Sequence, residues 1–167
     1  MSMFRPYVID SGQVAISGTG LSGPLLYVAP TSTNDLHIVA LKVSVETGSS
    51  APTAVSNGEL YFSLNTVTGT KAAGASVTPA PLGSSALAAN TVFSSGSTAI
   101  TGLTQTTEKW GGAVPFTAGA FAVEAWENTG REIDLAASSL SAFFVNVPSG
   151  PGAGSNWYAR VIAWFTE

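Results

Sequence analysis

His37 is the only histidine in this sequence of 167 residues, so any Ser-His-Asp relay would have to run through it. It lies within a β-type run and shares a face with Val39 and Leu41 when alternate residues are assigned to opposite faces. That setting suits a half-buried, hydrogen-bonded imidazole better than a general base. No Gly-x-Ser-x-Gly elbow is present to offer a serine. The chain has no cysteine, which excludes disulfides, thiol nucleophiles and iron–sulfur clusters. One histidine without cysteine cannot assemble a nitrogen/sulfur zinc site.

Carboxylates could still hydrolyse a glycoside if two of them flanked one bond. Glu124 and Glu127 are three apart in an extended run and point to opposite faces. Glu132 and Asp134 share a face, but they follow a hairpin-type loop at residues 127–131, where a solvated edge is the simpler reading. Asn34-Asp35 reads as turn chemistry rather than a calcium loop. Gly150-Pro151-Gly152-Ala153-Gly154 lacks the lysine and the following helix of a phosphate loop. The expectation is therefore a chain with no catalytic residue, cofactor or metal. Four tryptophans remain. Trp157 falls on a core stripe. Trp126 and Trp164 share faces with Glu124 and Arg160, a mixture of aromatic and charge typical of protein–protein contact. Trp110 or Trp126 could instead form a sugar-stacking platform.

The elements that must position these side chains are strands. Residues 155–167 alternate cleanly: Trp157, Ala159, Val161, Ala163 and Phe165 on one face, Tyr158, Arg160, Ile162 and Trp164 on the other. A strand apolar on both faces belongs inside a sheet, with its second face covered. Residues 140–147 have the same two-faced character. Residues 36–46 read as a central strand. Residues 120–127 alternate Phe121, Val123 and Ala125 with Glu124 and Trp126. Further strands are expected at residues 13–17, 25–29, 59–66, 91–93, 98–103 and 132–135, with a polar turn at 68–74 and a short helical turn following Ser84. Pro79 and Pro81 forbid a central strand near them. About eight to ten short strands without a long amphipathic helix predict an all-β, jelly-roll-like antiparallel sandwich in a single domain over residues 1–167.

Composition bears on partners. Charged residues make up 10% and hydrophobic residues 45% of the chain, whereas soluble domains average about 25% charged. Two explanations fit so few charges: a large part of the surface is buried in an assembly, or Ser, Thr and Asn keep it wet without charge. The net charge of −4 with six Lys and Arg argues against nucleic acid. No apolar run approaches the ~18 residues of a membrane span, and the first residues lack a secretory core, so synthesis in a cytoplasm is expected. Residues 1–7 are expected to form an extended arm, with Phe4, Arg5 and Tyr7 adding to a neighbour's sheet edge.

The block from Phe121 to Phe165, with VEAWENTGREIDL, a two-faced apolar strand, a Gly/Pro/Ser loop and a final WYARVIAWF, resembles small jelly-roll structural proteins of tailed bacteriophages. The resemblance implies a non-enzymatic virion protein, most like a capsid decoration or cement protein. Its partners would be its own copies, as a homotrimer, and the major capsid protein. A carbohydrate-binding or receptor-binding tip is the alternative. The subunit interface expected from these patterns comprises Glu124, Trp126, Tyr158, Arg160, Ile162 and Trp164. Because Glu124 and Arg160 each interrupt an apolar face, they are expected to pair, within one subunit or across the oligomer axis.

Overall fold

A computed structural model describes residues 6–16, 23–30, 34–52, 58–83, 91–96, 98–115, 117–125, 131–146 and 156–166. The expected sites at Phe4, Arg5 and Trp126, the helical turn after Ser84 and the glycine-rich loop before residue 155 lie outside these residues. The described residues form thirteen strands: β1 (Pro6–Asp10), β2 (Val14–Ile16), β3 (Leu26–Ala29), β4 (Leu36–Thr47), β5 (Glu59–Ala72), β6 (Ala75–Val77), β7 (Ala80–Pro81), β8 (Thr91–Ser94), β9 (Thr101–Pro115), β10 (Phe121–Ala125), β11 (Ile133–Leu135), β12 (Ser141–Asn146) and β13 (Trp157–Thr166).

Eight of these make the framework. They pair as nested couples, the first with the last: β1 with β13, β3 with β12, β4 with β10, β5 with β9. Successive couples alternate between two layers. Sheet A runs β10-β4-β13-β1-β7, with β11 on β4 and β2 on β13; sheet B runs β6-β8-β3-β12-β5-β9. This is an all-β sandwich with the nested connectivity of a jelly roll. The remaining short strands extend the sheets. The prolines keep to the margin as expected, since β7, with Pro81, is the last strand of sheet A.

β13 lies between β4 and β1, as its two-faced pattern predicts. Its stripe Trp157, Ala159, Val161, Ala163 and Phe165 is buried against Phe62, Leu64 and Phe143 of sheet B in one core cluster. β4 departs from simple alternation. Leu36 and Ile38 are buried at its start, and Leu41, Val43 and Val45 later on. The register along β13 slips between Trp164 and Phe165, whose partners are Ala40 and Ile38, leaving Val39 as the extra residue of a β-bulge. The bulge moves the inward phase by one residue, so period-two reading places Leu36 and Ile38 on the wrong side.

β5 and β9 are longer than the sequence suggests. Residues 68–74, expected as a turn, carry β5 on to Ala72, and Ala73 and Gly74, both with positive φ, separate it from β6. Residues 98–103, expected as a short strand, lead into a single 15-residue β9. Its Gly111-Gly112 pair does not break it, because the glycines make room. A Cβ on Gly111 would stand 1.9 Å from the Tyr61 hydroxyl, and one on Gly112 would stand 2.9 Å from the Trp110 ring.

The distal half of this β5–β9 ribbon carries Val67, Leu103 and the adjacent Ile100 onto the outer face of sheet B. There they pack with Tyr27, Ala142 and Phe144 in a second apolar cluster. The second face of β12 is therefore covered by its own chain. Gly69 and Gly102 face each other in this ribbon at φ +105° and +82°, and a Cβ on Gly102 would meet the Thr70 carbonyl oxygen at 2.2 Å. Gly102→Val is expected to cost about 1–3 kcal/mol. Amide exchange at Val67 and Leu103 should accelerate more than exchange at Val161; uniform acceleration would show that the ribbon is not a separate unit.

Candidate interaction face

Sheet A turns one face inward and the other outward, and the outward face gathers four of the six residues expected at the subunit interface. On β13, Tyr158, Arg160, Ile162 and Trp164 are half-buried and point outward. Trp164 stands opposite Ala40 on β4 and Val8 on β1. Small neighbours leave its indole as the largest side chain of that row. Ile162 stands between Lys42 and Asp10. Tyr158 crosses the start of the next loop, close enough that a Cβ on Gly48 would meet its ring at 2.8 Å.

Arg160 has its partners within the chain, and Glu124 is not among them. The guanidinium makes a two-pronged contact with Asp10: Nε donates to Oδ1 at 2.9 Å and Nη2 to Oδ2 at 2.5 Å. Nη1 lies 3.6 Å from Glu46 Oε1. Glu46 also accepts from Gln13 Nε2 at 2.7 Å and from Ser44 Oγ at 3.1 Å. The Gly12 amide donates to Asp10 Oδ1 at 2.8 Å. The Arg160 hydrogen bonds hold the Asp10 carboxyl below its ordinary value near 3.8; the Gly12 amide adds to this, and partial burial opposes it. Arg160 is pushed further up, first by the bonds to Asp10. The cluster ties β13 to β1 and β4 at one end of the face.

Glu124 faces the other way. Its register partner is Leu41, which is buried, so Glu124 belongs to the inner side of sheet A at the sandwich rim. There it accepts from Trp110 Nε1 at 3.0 Å, a bond that joins sheet A to β9 of sheet B. The expected Glu124–Arg160 pair is thus replaced within the chain by two separate contacts. The same register turns Phe121 and Val123 outward, 61% and 55% exposed. The alternation of β10 was legible, but its polarity was not: a hydrogen-bonding tryptophan across the rim accommodates the carboxylate, and the apolar residues go outside. Lys42 lies over the Phe121 ring, 5.1 Å from its centroid.

Tyr7 does not belong to a free arm. It is fully buried in β1, and its ring lies 5.4 Å from that of Phe165. The aromatic residue read as an outward anchor is a core residue, because Pro6 is already the first residue paired to β13. Trp110 is half-buried, packed against the main core and engaged with Glu124, which removes it as an open sugar platform. His37 is satisfied as expected: its Nδ1 lies 2.6 Å from Asp134 Oδ1 on the neighbouring β11. Among the described residues no group of three or more His, Cys, Asp or Glu side chains could hold a metal ion, and no helix is long and apolar enough to cross a membrane. Sequence reasoning missed Asp10, Glu46, Lys42 and Phe121 as parts of this face. Asp10 lies 150 residues from Arg160, and no local spacing signals that contact. No protein-family model, curated protein or solved structure matches this chain.

Proposed function

We propose that the protein is a non-enzymatic virion structural protein, a capsid decoration or cement protein that assembles as a homotrimer and bridges capsid subunits. The observation that carries this reading is the contrast between the two outer faces. On the outer face of sheet B, Tyr27, Ala142 and Phe144 are covered by the chain's own ribbon. The outer face of sheet A instead presents Val8, Ile162, Trp164, Phe121 and Val123 beside a fixed charge cluster. An aromatic anchor ringed by small residues and bordered by organised polar groups has the composition of a contact surface. The jelly-roll connectivity and the low charge fraction support the virion reading.

The test is native mass spectrometry of the full chain at micromolar concentration, together with co-sedimentation with empty capsids. A trimer that sediments with capsids in fixed stoichiometry is expected, and Trp164→Ala should weaken association about tenfold or more. A strictly monomeric chain that ignores capsids would overturn the proposal.

A further inference from the structure

A sheet margin with unpaired backbone groups is a template for another strand, and proteins guard such margins with prolines, charges, bulges or very short strands. Among the described residues the two sheets have four margins, and three are guarded. β7 of sheet A is two residues long and ends in Pro81, which has no amide hydrogen. β6 of sheet B has three residues. β9 is long, but its ladder with β5 slips on both sides of Asn65 and leaves the charged Lys109 as an extra residue. β10, which with the short β11 forms the other margin of sheet A, carries none of these devices. Its five residues hold an unbroken register with β4. The Ala120 carbonyl oxygen accepts from the Val45 amide at 2.8 Å, so Ala122 and Glu124, in phase with it, also turn their backbone groups toward β4. Phe121, Val123 and Ala125 therefore direct theirs to the open margin, and all three are exposed. The one charged residue of β10, Glu124, is held at the rim by Trp110.

We infer that β10 of a second copy pairs antiparallel with β10 across a two-fold axis at Val123, joining two A sheets into one. The strand is its own complement when read in reverse. Val123 meets its own copy at the axis. On the same outward face Phe121, the largest residue of the strand, meets Ala125. On the inward face Glu124 meets Ala122, so no two carboxylates oppose each other. A strand with a bulky residue opposite Phe121 or an acid opposite Glu124 fits worse, whereas a second copy supplies alanine at both places. The pairs formed by Phe121, Val123 and Ala125 each exchange both of their N–H···O bonds. Phe121 and Val123, two of the three exposed large apolar side chains among the described residues, are then covered by the incoming strand. A two-fold contact cannot close a ring of three, so this one goes beyond the trimer proposed above and ties one trimer to the next.

Native mass spectrometry of the full chain, with oxidative cross-linking of single-cysteine variants, tests the contact. The chain has no cysteine, so Val123→Cys can form a disulfide only with another copy. Facing residues of such a pair lie about 5.5 Å apart at Cα, within disulfide reach. Val123→Cys is expected to give covalent dimers, and Thr68→Cys, equally exposed on the β5–β9 ribbon, to give none. The parent should show a species of two trimers. Val123→Lys sets two ammonium groups face to face and should weaken the association of trimers about a hundredfold; mixing it with Val123→Glu should restore the larger species. If Val123→Lys fails to fold, the Val123→Cys cross-link still decides. A parent that stops at the trimer, with no cross-link through Val123→Cys, overturns the edge contact and leaves the trimer intact. Undiminished association of Val123→Lys trimers overturns it as well. A dimeric parent that Val123→Lys turns into a monomer upholds the edge contact and overturns the trimer.

Discussion

A chain lacking residues 1–7 is expected to lose its cooperative thermal transition, whereas a chain lacking residues 1–5 keeps it. The difference is Tyr7, which is fully buried and stacked at 5.4 Å on Phe165. Its strand β1 lies beside β13, opposite β4, so removing its start unseats Phe165 and opens the core along one margin. Tyr7→Ala alone deletes a ring from a close-packed site, and such aromatic truncations cost about 3–5 kcal/mol. For a chain of this length that corresponds to a fall in melting midpoint of roughly 6–20 °C. Differential scanning calorimetry of the two truncations and of Tyr7→Ala reads the outcome. If all three melt with the parent, Tyr7 is not a core residue and the placement of β1 is wrong.

Arg160→Ala is expected to destabilise the fold by about 2–3 kcal/mol. That range lies between exposed ion pairs, worth ~0–1 kcal/mol, and buried ones, whose disruption costs roughly 3–5 kcal/mol. The intermediate value follows from the site: the Arg160 and Asp10 side chains are 34% and 39% exposed, so solvent screens the pair, but the contact is two-pronged. Asp10→Asn removes the same partner from the other side. In a double-mutant cycle Arg160→Ala and Asp10→Asn should couple, whereas Arg160→Ala and Glu124→Ala should be additive within about 0.5 kcal/mol when folding of the monomer is measured. Additivity of the first pair would dissolve the clamp.

The pH dependence of that clamp has a defined sign. The folded carboxyl of Asp10 is depressed by Arg160, so the stabilisation is fully present above the ordinary value near 3.8 and is lost as pH falls through the lower folded value. Urea titrations of the parent and of Asp10→Asn should therefore differ most at neutral pH and converge in acid. A difference that stays constant down to the acid limb would mean that Arg160 does not hold the carboxyl.

Much of the fold can be read from alternation alone. The inward stripe from Trp157 to Phe165, the interior placement of the last strand and the two-faced β12 follow from a period of two over long apolar runs, because a pleated strand has only two faces on which to place them. The marginal position of Pro81 is equally local. The tertiary structure decided what local sequence leaves undetermined. A single bulge at Val39 reverses the phase of β4, and nothing in Leu36–Thr47 announces where the ladder will slip. β10 shows which residues alternate but not which set points inward; the Trp110–Glu124 bond across the rim settles that. The second face of β12 is covered by the ribbon of β5 and β9 through Val67, Leu103 and the adjacent Ile100, so an apolar face that suggested a second subunit is answered within the chain. Arg160 finds Asp10 at the opposite end of the sequence because the nested pairing of first strand with last brings them side by side. Contacts of that kind arise from strand order, and strand order is a property of the whole chain that no single segment encodes.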